Sequence, residues 1–200
     1  MWAGLRIPQA DSELDNFQVL VSGATDIFHV SDLDGDSDAD LVSVIGDTLV
    51  WWENLDGATD FGEPQTIGPE NGTIRRITTA DLDGDNDPEV ITVANMSANH
   101  KWYENLDGTG NFGAAHYFLE PGTNGVGLQF TDLDGDQDID VVFAQAANLS
   151  ILENVDGAGN FSNPLNICFL HNTADDLRAV DINNDGLPDL IAPANNSTQE

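Results

Sequence analysis

The chain is short of positive charge. Five lysines and arginines face thirty-six aspartates and glutamates across 200 residues, a formal net charge of −31. A field of that sign repels nucleic acid and anionic membrane surfaces and attracts cations, so neither nucleic-acid binding nor membrane insertion is expected. Cysteine is nearly missing as well. Cys168 stands alone, which excludes an intrachain disulfide and leaves the redox compartment open. No stretch approaches the ~18 apolar residues of a membrane-spanning helix. Residues 1–6 (MWAGLR) lack the basic start and apolar core of a signal peptide, so the chain reads as cytosolic or as a piece of something longer. No segment holds a 3.6-residue apolar period with caps, and almost no helix is expected.

What is present argues against disorder. Acidic disordered chains are poor in aromatic and β-branched residues. Here short apolar runs at 40–45 (DLVSVI), 89–94 (EVITVA) and 140–144 (DVVFA) alternate with stretches rich in turn residues.

The runs repeat. Residues 31–41 (SDLDGDSDADL) return as 80–90 (ADLDGDNDPEV), as 131–141 (TDLDGDQDIDV) and as 180–190 (VDINNDGLPDL), with leading aspartates spaced by 49, 51 and 49 residues. A second motif keeps that period: 51–57 (WWENLDG), 102–108 (WYENLDG) and 151–157 (ILENVDG), each followed by an aromatic at Phe61, Phe112 or Phe161. Each unit reads as four short strands. In the second unit one strand leads into the Asp loop (74–79), one leaves it (89–94), a third carries the Trp-Tyr-Glu-Asn segment, and a fourth follows at 116–119. Asp-Gly pairs at Asp56, Asp107 and Asp156 suit tight turns, because glycine accepts positive φ without steric cost. Four antiparallel strands about every 50 residues predict an all-β propeller blade, so the chain is expected to be one repeat domain spanning residues 1–200, with all Asp loops on one face. The fourth unit stops after its second strand, while residues 2–7 and 17–21 precede the first loop where a third and fourth strand would sit. The ends could share one blade and close a four-bladed ring, or the chain could be a fragment of a larger propeller.

The loops carry the chemistry. Counting from the leading aspartate, positions 1, 3, 5 and 9 are Asp32, Asp34, Asp36 and Asp40 in the first loop. They are Asp81, Asp83, Asp85 and Glu89 in the second, Asp132, Asp134, Asp136 and Asp140 in the third, and Asp181, Asn183, Asp185 and Asp189 in the fourth. All are hard oxygen donors. Position 7 is Asp38, Asp87, Asp138 and then Leu187, so its side chain is dispensable and its backbone carbonyl is the expected ligand. Alternating donors converging on one ion, with a carbonyl at position 7, are what calcium loops supply. Magnesium takes fewer protein ligands, and zinc wants nitrogen or sulfur. Up to four Ca2+ ions are expected. An EF-hand is excluded, because position 12 is Ser43, Thr92, Phe143 or Ala192 rather than Glu, and the flanks are strands. Solvated turns are the plainer reading of any one loop. They do not explain why eighteen of the thirty-six acidic residues crowd into four nine-residue windows.

The loops and the Trp-Tyr-Glu-Asn…Asp-Gly…Asn-Phe-Gly segments resemble FG-GAP/VCBS repeats, the units of integrin-α-like calcium-binding propellers, over nearly the whole chain. The fourth loop matches the family pattern Asp-X-Asp/Asn-X-Asp-Gly-X-X-Asp best. The other three carry Gly at position 4 instead of position 6, and Glu89 departs at position 9. The resemblance implies a propeller usually of seven blades, extracellular or cell-surface display, and adhesion or binding of a glycan or another protein.

Among the remaining residues, Trp51, Trp52, Trp102 and Tyr103 recur at one place in the blade and are expected to pack between blades. Glu53, Glu104 and Glu153, which precede Asn54, Asn105 and Asn154, are expected to fix a turn with them rather than to be catalytic. Arg75 and Arg76 are expected to neutralise nearby carboxylates, and the scattered His29, His100, His116 and His171 form no metal spacing. The chain is therefore read as a non-catalytic calcium-binding module. The alternatives are a fragment of a polysaccharide lyase or glycoside hydrolase, for which two tyrosines and five basic residues are a thin supply, and a structural spacer.

Overall fold

The computed structural model describes residues 24, 26–94, 100–119, 125–145, 148–170 and 177–192. Among these residues there are fourteen strands and no helix. The first sheet holds β1 (Phe28–Ser31), β2 (Asp40–Ile45), β3 (Thr48–Trp52) and β4 (Gln65–Pro69) in that order, all antiparallel. The second holds β5 (Ile74–Ala80), β6 (Glu89–Ala94), β7 (His100–Asn105) and β8 (Phe112–Leu119). The third holds β9 (Gly125–Thr131), β10 (Asp140–Gln145), β11 (Asn148–Leu152) and β12 (Leu165–Phe169), and β13 (Arg178–Val180) pairs with β14 (Asp189–Ile191). These are three four-stranded blades and the first half of a fourth, with the fourth strand of the second blade beginning at Phe112, earlier than expected. The strands expected at 2–7 and 17–21, and with them the shared closing blade, lie outside the described residues, as does His171.

The middle strands are apolar on both faces because a blade lies against each side. In β10, Val141 and Phe143 join a core with Ile91, Trp102 and Phe118 of the second blade, while the alternate Val142 and Ala144 join Leu149 and Leu177 on the other side. The period of two sends successive side chains to opposite faces, so one strand serves two cores. In β6 the same alternation puts Val90 and Ala94 with Val42, Leu49 and Trp51 of the first blade, and Ile91 and Val93 with the third.

The recurring aromatics are buried, as expected: Trp51, Trp52, Trp102 and Tyr103 are each under 5% exposed. Three of them have a receiving glycine one blade away. The Trp51 ring covers the Cα of Gly110, Trp102 covers Gly159, and Tyr103 covers Gly68, so a methyl group at any of those glycines would collide with the ring. Where no complete blade follows among the described residues, the corresponding surface is more exposed. Ile67 of β4 is 6% exposed, whereas its counterpart Ile167 of β12 is 43% exposed.

Candidate metal centres in the Asp loops

Each Asp loop joins the first strand of a blade to the second, and a shared hydrogen-bond pattern folds it. The position-1 carboxylate caps the turn: Asp32 accepts from the N–H groups of Gly35 (2.9 Å) and Ser37 (2.9 Å), Asp81 from Gly84 and Asn86, Asp132 from Gly135 and Gln137. Asp181 accepts from Asp185 and Gly186. Position 5 accepts from the N–H of position 7 in all four loops. Short acidic side chains do this because their oxygens reach backbone N–H groups two residues on.

These turns bend the backbone into the left-handed region at both positions 4 and 6. Gly35, Gly84 and Gly135 lie at φ +78°, +77° and +87°, and Ser37, Asn86 and Gln137 at +77°, +74° and +81°. In the fourth loop the order is reversed, with Asn184 at +60° and Gly186 at +95°. Moving glycine from position 6 to position 4 therefore keeps the turn and transfers the strain from one residue to another.

The result is convergence. One carboxylate oxygen each from Asp32, Asp34 and Asp36 lie within 4.8 Å of one another, as do those of Asp81, Asp83 and Asp85 and of Asp132, Asp134 and Asp136. In the fourth loop Asp181, Asn183 and Asp185 occupy the same positions in the same hydrogen-bonded turn. Position 9 adds a fourth carboxylate, held by backbone N–H groups and close enough to feel the charges of positions 3 and 5 in the first three loops. Asp40 accepts from the N–H of Leu33 (2.8 Å) and of Asn54 (2.9 Å), and Asp140 from Leu133 and Asn154. Glu89 accepts from Leu82 (2.6 Å) and Asp189 from Ile182 (3.0 Å). The position-7 side chains turn away: Asp38, Asp87 and Asp138 lie over Gly57, Gly108 and Gly157 of their own blade's Asp-Gly turn, and Leu187 reaches Gly135 of the preceding loop.

Burial, and then crowding, make three carboxylates of the first two loops reluctant to ionise. Burial, then the Asp85 charge, pushes Asp83 up to about 6. Burial, opposed by two backbone hydrogen bonds and reinforced by Asp34 and Asp36, pushes Asp40 to about 6. Glu89 is raised to about 8, by burial first and then by Asp83 and Asp85. Asp83 Oδ1 and Glu89 Oε1 are also buried oxygens with no hydrogen-bond partner. A hard cation fits this donor set, because it neutralises the repulsion and satisfies the stranded oxygens.

Two expectations change. The repeated asparagines reach further than a turn. Asn54 donates to Ala39 of its own loop (3.2 Å), but Asn105 donates to the Leu33 carbonyl and Asn154 to the Leu82 carbonyl of the preceding blade, each at 2.8 Å. The turns are held by Asp56, Asp107 and Asp156, whose carboxylates accept the N–H groups that follow. Arg75 and Arg76 form no ion pair among the described residues, because β5 carries Arg76 towards the inner strand β9, where it donates to the Leu128 carbonyl (3.0 Å). Among the described residues Lys101 instead pairs with Glu70, buried between blades, and His116 Nε2 lies 3.8 Å from a Glu104 carboxylate oxygen. The Lys101–Glu70 pair was invisible in the repeat, since neither residue recurs at its position.

The FG-GAP-like repeat family matches the chain twice, over residues 32–92 and 132–192. Solved structures similar in fold include the following two. One describes specific recognition of non-reducing terminal N-acetylglucosamine by a lectin of Agrocybe aegerita, at 20% identity and a TM-score of 0.61, covering 80% of this chain and 44% of that one. The other is the Tc holotoxin pore of Photorhabdus luminescens, at 20% identity and a TM-score of 0.56, covering 82% of this chain and 8% of that one. The chain thus spans less than half the length of either. No curated protein sequence matches it. With more than half its residues matched and its loops and blades in register, the chain is a member of the FG-GAP-like repeat family, folded as β-propeller blades.

Proposed function

We propose that this chain is a calcium-stabilised recognition module, non-catalytic and displayed outside the cell, which binds a glycan or another protein. The observation that carries the calcium reading is the convergence of three carboxylates in each of three loops, with buried oxygens left unpartnered in the second. Unneutralised, such a loop costs on the order of several kcal/mol at an effective dielectric of about 20, less what solvent screens. Four bound ions bring the charge from −31 to about −23, counting +2 for each ion expected in the loops. Calcium acts at a distance from the ligand, through the shape of the blades, since the loops tie first to second strands. The likeness to a lectin fold favours carbohydrate as the partner, and family membership favours extracellular display.

An ion that binds only the folded form adds about 2.7 kcal/mol per site at a hundredfold excess over Kd. Chelation is therefore expected to lower the melting temperature by several degrees or more, and Asp132→Ala to remove one loop's share of that shift. Calcium, but not magnesium, should restore the midpoint. A melt unmoved by chelator would refute calcium as a structural ion.

A further inference from the structure

The second and third blades leave between them a cleft of about 350 Å3 that runs from the inner strands β5 and β9 to the second and third Asp loops. Its two ends differ in charge. Asp81 and Asp138 line the loop end, and Arg76 lines the other, five residues down β5 and therefore about 16 Å away at the rise of a strand. Between them lie Thr78 and Gln129, beside the apolar Phe130.

Arg76 is the unexpected member. A guanidinium has five N–H donors, and the hydrogen bond formed by this one runs from Nη1 to the Leu128 carbonyl. In a chain with thirty-six acidic residues, no described carboxylate pairs with it. Burial, and then the charge of another cation, Arg178, lowers its pKa. Gln129 lines the cleft and donates its amide to the Leu177 carbonyl, and its side-chain oxygen is an acceptor by type. The Thr78 hydroxyl has no hydrogen-bond partner among the described residues.

We propose that this cleft binds a sugar acid, with its carboxylate on the Arg76 guanidinium and its hydroxyls on Thr78 and Gln129. The inference rests on the recognition role proposed above and adds the site and the ligand class. A planar monoanion matches the guanidinium fork. A phosphate dianion meets twice the repulsion from Asp138 and from the net negative field. An uncharged sugar leaves the guanidinium donors unanswered, and burying them without an acceptor is costly.

The test is a calorimetric titration of the full chain, in calcium-containing buffer, with sodium glucuronate, with glucose and with inorganic phosphate. Saturable glucuronate binding is expected, with glucose weaker by about tenfold or more. Arg76→Met, which keeps the apolar stem, should weaken glucuronate by about tenfold or more. Thr78→Val, which leaves the guanidinium in place, should weaken it severalfold and decides the matter if Arg76→Met does not fold. The proposal is overturned if glucuronate shows no saturation, if either folded variant binds it as the parent does, or if phosphate binds as tightly. Melting curves of the same samples with and without chelator keep the calcium reading separate: a calcium-dependent melt without glucuronate binding overturns the sugar-acid site alone.

Discussion

The side-chain amide of Asn105 donates a 2.8 Å hydrogen bond to the backbone carbonyl of Leu33, 72 residues earlier and one blade away. Asn154 repeats the bond to Leu82 at the same separation and distance. Leu33 and Leu82 are position 2 of their Asp loops, so each bond ties a metal-type loop to the blade that follows. Both Asn105 and Asn154 are buried, which raises the cost of losing the bond.

Asn105→Ala is therefore expected to destabilise the fold by about 1–3 kcal/mol, by stranding the Leu33 carbonyl. Asn111, whose amide bonds the exposed Asp107 carboxylate, is the control, and its alanine variant should change stability by less than about 0.5 kcal/mol. Urea denaturation of the two variants checks the difference. Equal effects would mean that the inter-blade bond contributes nothing beyond a surface contact.

The strained position 6 gives a gain-of-stability prediction. Gln137 sits at φ +81°, where a non-glycine residue loses about 1–2 kcal/mol. Glycine relieves that strain but adds about 0.4–1 kcal/mol of unfolded-state entropy. Gln137→Gly should come out ahead by about 0.5–1 kcal/mol, and Gly186→Gln in the fourth loop should lose a similar amount. Thermal melts of both variants in calcium test the pair.

Lys101 and Glu70 form a buried ion pair at 3.3 Å between adjacent blades. Thr92 and Tyr103 also donate to the Glu70 carboxylate, yet burial still raises its pKa, with Lys101 pulling it back. Lys101→Met leaves that carboxylate without its cation and should cost about 3–5 kcal/mol. Adding Glu70→Gln should recover much of the loss. A single-variant loss below about 1 kcal/mol would show that the pair behaves like a surface one.

Without divalent cations the pH dependence has a definite sign. Glu89 titrates near 8 in the folded chain against an ordinary value of 4.5, and Asp83 and Asp40 near 6 against 3.8. The folded state then holds more protons than the unfolded state between those values, so stability falls as pH rises from about 4 to about 8. In chelator the melting temperature should be higher at pH 5 than at pH 8. Calcium should flatten or reverse that slope, because the ion takes the protons' place. A midpoint that rises with pH in chelator would contradict the raised values.

Much of the fold was legible before any coordinates. The 49-, 51- and 49-residue spacing of Asp32, Asp81, Asp132 and Asp181 marked the blades, and Asp-Gly at Asp56, Asp107 and Asp156 marked the turns, because both signals lie within a few residues of the structure they specify. The oxygen donors at positions 1, 3 and 5 were equally visible, and the loop turns bring them together. Position 9 was read with them, and its carboxylates also accept from backbone N–H groups of the loop, which ties them to it.

The sequence by itself determined what local chemistry can determine: strand period, turn positions, the donor set of each loop and the sign of the field around it. Tertiary structure decided whatever depends on which blade lies beside which. Asn105 reaches Leu33, and Trp51 rests on Gly110, because neighbouring blades stack with a constant offset that no window of fifty residues contains. Arg76 ends beside Leu128 and Arg178 for the same reason. Charge composition surrounds it with acid, but the acidic side chains are held in surface loops by their own backbone N–H groups, while β5 carries the guanidinium inward.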